Sequence, residues 1–423
     1  MTAMSPMLVI LALLSMASNA TQACPFFFGD FEEEGLSLRR WSSVCKKEIN
    51  DSGFIVCASA SANGLSCPQV GFPRQDAEFG RDAQGVALAQ RKVGAGFAGF
   101  DFSKLSASGA VLPIDASEWT CIRDNVTGLL WESKTPSGLS REQDKYAWRN
   151  SDGSINGGNP GGNNLASCEL LAPNCNTEVW IERINQNTLC GRSDWRLPGP
   201  EELFGILALQ FDSRGILDPD FFKIAHSVYW TSDTSRDSAA RAYMVSTLGG
   251  GISFDLKENT AFVIAVAGPR ERGRSASRFV INSGGNVVDL WTGLEWLRCE
   301  EGLVGDGCVS GAPLLLNWSE ALRRAESVSH QGQNDWRLPS VKELVSLYSF
   351  RTDSEFAGGA LIPTNPEFYW SSTPAPIDSS ASRGRARLFS LGDGRAITDD
   401  KSVLRRVCLL YTSPSPRDDR PNL

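Results

Sequence analysis

The sequence predicts a mixed α+β protein made of two tandem copies of one domain. Each copy is a set of short twisted strands with two short helices, and a small cysteine-rich segment precedes the pair. Three observations predict this. One string of motifs occurs twice in the same order. Tryptophan is abundant, with twelve against six tyrosines. Cys24, Cys45, Cys57 and Cys67 crowd the stretch ahead of the first copy.

Residues 1–20 read as an export signal: the apolar run from Met7 ends in the small triplet Ser18-Asn19-Ala20 and is too short to span a bilayer. No transmembrane segment is expected elsewhere. Residues 21–112 form the cysteine-rich segment, and eleven cysteines in an exported chain point to disulfides. Copy one is assigned to 113–268 and copy two to 279–407. The breaker-rich, basic stretch 269–278 reads as an exposed linker. Residues 408–423 resemble a translated sequencing adaptor, and their Ser-Pro alternation has no core-forming period, so they read as a non-native tail.

The repeat itself is explicit. Asp124 to Trp131, with Thr127-Gly128-Leu129, returns as Asp289 to Trp296, with Thr292-Gly293-Leu294. Asp194-Trp195-Arg196-Leu197-Pro198 with Glu202 returns as Asp335-Trp336-Arg337-Leu338-Pro339 with Glu343. Tyr229-Trp230-Thr231-Ser232 returns as Tyr369-Trp370-Ser371-Ser372. The interval between counterparts is longer for the first motif than for the other two. That difference places an insertion of about two dozen residues in copy one, near 134–188. Trp318 to Glu326, after the cap Asn317, has helical apolar spacing, and Val179 to Ile184 is its counterpart. A second helix starts after Ser340 with Glu343 three residues on, a capping box, and its partner starts near Pro200.

These motifs resemble the Lcl C-terminal domain family. The resemblance rests on TGLLWE, DWRLP with EEL, and YWTS in copy one, and on TGLEW, DWRLPSVKEL and YWSST in copy two. The lead-ins Pro73–Ala83 and Gly96–Leu105 resemble the stretch that precedes such domains. It implies a C-type-lectin-like fold, a secreted, periplasmic or bacterial cell-surface location, and, as in the family's named member, binding of sulphated polysaccharide and adhesion. The family's closing Val-Arg-Cys-Val-Arg strand has only Leu404–Val407 and Val263–Gly268 to match it here, and there is no collagen-like Gly-X-Y stalk.

Charge and composition narrow the function. A net charge of −8 argues against a nucleic-acid partner. His226 and His330 are the only histidines, which leaves little material for imidazole catalysis or a multi-histidine metal site. Carboxylate chemistry stays open. We expect a non-catalytic binding protein for a glycan or an extracellular protein, with no catalytic residues and no metal site. Two other readings compete: an enzyme of the formylglycine-generating type, which needs a late cysteine pair, and a structural envelope or matrix component.

Each motif also has two readings. Trp131, Trp195, Trp296 and Trp336 read as core; Arg196 and Arg337 read as loop-fixing partners of nearby carboxylates, and Glu202 and Glu343 as helix caps. Asp194 and Asp335 belong to the same frame. Trp230, Ser232, Trp370, Ser371 and Ser372 suit either sugar stacking with hydroxyl hydrogen bonds or core packing. Arg383, Arg385 and Arg387 at alternating positions would share one strand face, either as a row for an acidic polysaccharide or as a charge guard on an edge strand. Asp152, among asparagines and glycines, offers oxygens for Ca²⁺, although one carboxylate is few and a plain surface loop reads more simply. The expected disulfides are Cys299 with Cys308, Cys168 with Cys175, and Cys121 with Cys190.

Overall fold

The computed structural model describes residues 48–89, 91–164, 167–211, 216–223, 227–270, 278–350, 367–377 and 380–412. The expectations for 1–20, Cys24, Cys45, His226, 271–277 and 413–423 lie outside these described residues. The fold is mixed α and β, with small antiparallel sheets, few helices and, among the described residues, four disulfides.

Residues 48–89 and 91–101 make a strap across both copies. Its hairpin pairs β1 (Cys57–Ala58) with β2 (Asn63–Leu65) and is closed by the Cys57–Cys67 disulfide. Copy one follows as β3 (Phe102–Leu105), β4 (Cys121–Asp124), β5 (Leu130–Glu132), β6 (Tyr146–Ala147), α1 (Thr177–Gln186), β7 (Trp195–Arg196) and α2 (Pro200–Gly205). It ends with β8 (Val228–Thr234), β9 (Arg241–Ser246), β10 (Gly251–Leu256), β11 (Thr260–Ala261) and β12 (Val266–Ala267). Copy two runs through β13 (Phe279–Ile281), β14 (Val287–Asp289), β15 (Glu295–Trp296), β16 (Leu303–Val304), β17 (Ser310–Gly311), α3 (Trp318–Ser327), β18 (Trp336–Arg337) and α4 (Val341–Leu347). It closes with β19 (Phe368–Pro374), β20 (Arg385–Ser390), β21 (Ala396–Asp400) and β22 (Leu410–Tyr411).

The copies share one topology. Copy one orders a five-stranded sheet as β3-β4-β5-β12-β7, and copy two as β13-β14-β15-β22-β18. Two boundaries therefore move. β3 lies upstream of residue 113 but pairs along its whole length with β4, so copy one starts earlier. β22 lies beyond residue 407 yet sits between β15 and β18, with Cys408, Leu409 and Leu410 fully buried. Cys408 to Tyr411 is thus the counterpart of the closing strand β12, not part of a tail. The apolar run belongs to the sheet, and only the Ser-Pro alternation that follows it lacks a core period.

Helix boundaries follow local chemistry. The Asn317 side chain accepts from Glu320 N, and Glu320 reaches back to Asn317 N. Trp318, Ala321, Leu322 and Ala325 then fall on one buried face. Ser340 and Glu343 make the same reciprocal box on α4. The insertion is narrower than 134–188. Trp148 and Trp318 are structural equivalents, since their Nε1 groups donate to Thr231 O and Ser371 O at matching places in the two Tyr-Trp strands. The helix caps Asn176 and Asn317 are equivalents too. In copy two the cap directly precedes its tryptophan, whereas in copy one it follows far downstream, so the extra chain lies between Trp148 and Asn176. It is stapled by Cys168–Cys175.

The copies are fused through their sheets. β8-β9-β10 and β21-β20-β19 join into one six-stranded sheet through an antiparallel pairing of β10 with β21 at Ile252↔Ala396. The sequence interval between those two residues equals the one between Tyr243 and Arg387, so each pairs with its own counterpart. Self-pairing of equivalents is the signature of an isologous twofold contact, here within one chain. Tyr243 donates its hydroxyl to Asp393 O in the other copy's hairpin, and Arg387 donates to Gly249 O and Gly250 O in return. A single apolar core runs through Trp131, Leu203 and Tyr243 of copy one and Trp296, Leu344 and Tyr348 of copy two.

The strap seals this junction with buried polar groups. Lys342 donates to Asp51 O and Gly205 O, each at 2.6 Å. Thr373 donates to Asp76 at 2.6 Å, and Asp82 accepts from Gly53 N and Gly99 N. Burial first, then the Asp51 carboxylate, pushes Asp76 up to about 7 from an ordinary value of 3.8. Folded Asp76 therefore holds a proton over a range where the unfolded chain has lost it. Its contribution to stability is full below the unfolded value and falls as pH rises through the folded one. We expect stability relative to Asp76→Asn to decline between about pH 4 and about pH 7 and then level off. Urea midpoints across that range check it; parallel profiles for the two proteins would refute the assignment.

Candidate functional site

The repeated motifs turn out to be framework. In copy one, Arg196 forks onto both oxygens of Glu202 at 2.7 and 2.8 Å, and Glu202 also accepts from Gly199 N. Arg337 and Glu343 repeat this at 2.8 and 2.8 Å, with Ser340 N as the third donor. One carboxylate thus fixes the loop and caps the helix together. Asp194 pairs with Arg192, which holds its carboxyl below the usual range, and Asp335 pairs with Arg74 of the strap. Trp131, Trp195, Trp296 and Trp336 are buried, and Trp195 Nε1 donates to Leu189 O.

The Tyr-Trp strands offer no sugar platform. Trp230 and Trp370 are 0% exposed, with Nε1 donating to Tyr146 O and Leu316 O. Ser371 donates to Arg387 O and Ser372 is buried, so neither hydroxyl reaches solvent. Half-buried Ser232 donates to Asp233 and accepts from Arg270. Alternation fails here because both faces of each strand are covered, by the inter-copy core on one side and the satellite core of that copy on the other. The serines belong to that packing.

The basic row also dissolves. Arg383 lies in the turn before β20, and Arg385 donates to Thr398 O. Arg387 is 1% exposed and spends its guanidinium across the twofold on Gly249, Gly250 and Leu209 carbonyls. The pleat does set Arg385 and Arg387 on one face, but Arg387 reaches the other copy's hairpin while Arg385 is spent on its own copy's neighbouring strand. Around Asp152, the side-chain oxygens of Asn150, Asp152, Asn156 and Asn159 accept from Asp152 N, Ser154 N, Gly158 N and Gly161 N. The loop's inward carbonyls, Asn156 O and Asn159 O, hold the Lys257 ammonium, whose pKa burial lowers to about 8. Those two carbonyls are thus taken by a lysine, and one Asp152 carboxylate oxygen is taken by Ser154 N and Oγ. Cys121–Cys190, Cys168–Cys175 and Cys299–Cys308 are bonded, and Cys408 is a buried thiol. Among the described residues, no group of three His, Cys, Asp or Glu side chains could hold a metal, and no helix is long and apolar enough to cross a membrane.

Among the described residues, one cleft open to a ligand lies where the strap meets copy one. A cleft of about 740 Å³ is lined by Phe97, Phe211 and Phe221, with Asp115, Asp218 and Asp220 among its polar groups. Phe97 and Phe211 are half-buried and meet edge to face at 5.2 Å. Asp218 accepts from Phe97 N at 2.9 Å and from Asp220 N at 3.1 Å, and burial raises its pKa. Lys104, also in the lining, is committed elsewhere: its ammonium donates to Ala116 O at 2.8 Å and lies 4.1 Å from the Trp119 ring centre. Trp119 Nε1 in turn donates to Phe221 O at 2.9 Å, which fixes that wall.

The sequence marks none of these cleft residues as a ligand contact. The signal was faint: aromatics in loop-like stretches such as Gly94-Ala-Gly-Phe97 and Leu217-Asp-Pro-Asp-Phe221, where a solvated loop needs none. The two stretches are distant in the chain, and only folding joins them.

Comparison with known proteins agrees with the duplication. The model of the Lcl C-terminal domain matches twice, at residues 120–267 and 285–409. No curated protein and no solved structure matches the chain. The second match runs into the Cys408-Leu409 segment of the closing strand, as the sheet pairing requires. The chain therefore belongs to the Lcl C-terminal domain family and carries two tandem copies of that domain.

Proposed function

We propose that this is an extracytoplasmic, non-catalytic binding protein whose two C-type-lectin-like domains form one body that recognises a glycan. The observation that carries this reading is the cleft between strap and copy one, whose volume falls within the span of small-ligand sites, about 300–1,000 Å³. Half-exposed aromatic faces beside carboxylates are what a sugar needs: flat C–H surface to cover, and acceptors for its hydroxyls. Four disulfides favour an oxidising compartment. The motif arginines, glutamates and tryptophans are occupied by framework contacts, which supports binding through loops rather than chemistry at the repeats. A formylglycine-generating mechanism needs a late reactive cysteine pair. Here the Cys408 thiol is buried and its pKa raised by that burial.

The test is a glycan array probed with the purified full chain. We expect retention on a restricted set of glycans, and weaker retention for Phe97→Ala. A blank array, together with capture of a specific protein from the producing cell's envelope, would replace the glycan by a protein partner.

A further inference from the structure

We infer that the cleft between the strap and copy one takes an uncharged saccharide, not an acidic polysaccharide. This rests on the glycan-binding reading and goes beyond it by fixing the chemical class of ligand. The electrostatics of the walls decide it. Asp115, Asp218 and Asp220 all contribute to the lining, and two of them, Asp115 and Asp220, are exposed. A sulphate or uronate brought here would meet carboxylates at close range, a repulsion that desolvation in the cleft would strengthen.

The nearby cations are held by protein groups, Lys223 among them, which meets Ser117 O, Glu118 and the Trp119 ring. Lys104 is 8% exposed and its ammonium is tied to Ala116 O and the Trp119 ring. Lys92 donates to Gly96 O and Ala98 O, so it holds the strap's turn rather than facing a ligand. The other basic feature is also committed elsewhere: Arg387 donates across the twofold junction to Gly250 O, and Arg385 to Thr398 O of its own copy. For an uncharged sugar the same walls are favourable. Hydroxyls can donate to Asp115 and Asp220, whose carboxylates accept strongly, while the Phe97–Phe211 pair offers an apolar face to the ring C–H groups.

The experiment titrates the full chain with fluorescently labelled neutral oligosaccharides (gluco-, manno- and N-acetylglucosamine series) and with heparin oligosaccharides. Salt is set at about 0.05 M and about 0.5 M. The expected result is binding of a neutral series with a Kd that shifts less than about twofold between the two salts. Phe211→Ala should weaken it about tenfold, while Phe211→Tyr, which keeps the ring, should retain it. Asp220→Lys, a change at an exposed position, should weaken neutral-sugar binding and leave the unfolding midpoint unchanged. Salt-sensitive heparin binding that survives Phe211→Ala would overturn the ligand class while leaving the glycan reading standing. Neutral binding untouched by both Phe211→Ala and Asp220→Lys would put the sugar elsewhere and overturn the inference alone. No binding of either series would remove both.

Discussion

Arg337→Ala will cost about 3–5 kcal/mol of stability, while Arg196→Ala, the same change in the same motif of the other copy, will cost about 1–2 kcal/mol. Both guanidiniums fork onto a helix-capping glutamate, so the chemistry is matched. Burial is not. The Arg337 side chain is 9% exposed and lies 5.0 Å from the Phe79 ring centre, beneath the strap, whereas the Arg196 side chain is 23% exposed. Burial opposes the Arg337 charge, yet Glu343 opposite holds its pKa above the ordinary value. Removing either arginine leaves a buried glutamate, Glu343 at 3% and Glu202 at 2% side-chain exposure, but water can take the place of the more exposed Arg196, whereas the strap covers the Arg337 position. Urea unfolding of the two variants supplies the comparison. Equal losses would mean the strap does not bury the copy-two pair as described.

Arg387→Ala is expected to cost a similar amount, about 3–5 kcal/mol, and to loosen the two copies from each other. Its guanidinium serves Gly250 O at 2.5 Å, Gly249 O at 2.9 Å and Leu209 O at 3.1 Å, all in copy one. Truncation would strand those carbonyls beside an empty volume at the core of the junction. The counterpart change, Tyr243→Phe, removes a hydroxyl that bonds Asp393 O and, more weakly, the Tyr348 hydroxyl, and should cost about 1–2 kcal/mol. Calorimetry separates the outcomes: the Arg387 variant should unfold earlier and over a broader range, as coupling between copies weakens. Unchanged stability with reduced retention of acidic glycans would return this arginine to a ligand-facing role.

Legibility differs by residue. Asn317 and Ser340 are readable as caps because a cap is written within four residues of itself. Trp131 and Trp296 are readable as core through their place after a Thr-Gly turn, where Asp124 and Asp289 fix the loop by accepting from Thr127 and Thr292 hydroxyls. Sequence misplaces Arg387 because alternation says which residues share a face and nothing about what that face meets. It misplaces Cys408–Tyr411 because a two-residue strand inserted between distant partners has no period to detect. The cleft escapes for the same reason: Phe97 and Asp218 touch across a separation of 121 residues.

By itself, then, the sequence determined that one unit is present twice, where its helices begin, and which cysteines could close short loops, since spacing and composition encode such features locally. The tertiary structure alone decided that the copies merge about a twofold, that the strap locks them, and that Trp230, Trp370 and Arg387 face inward. Those outcomes depend on which surfaces meet, and a contact such as Arg387 with Gly250 joins residues 137 apart through packing that no local pattern records.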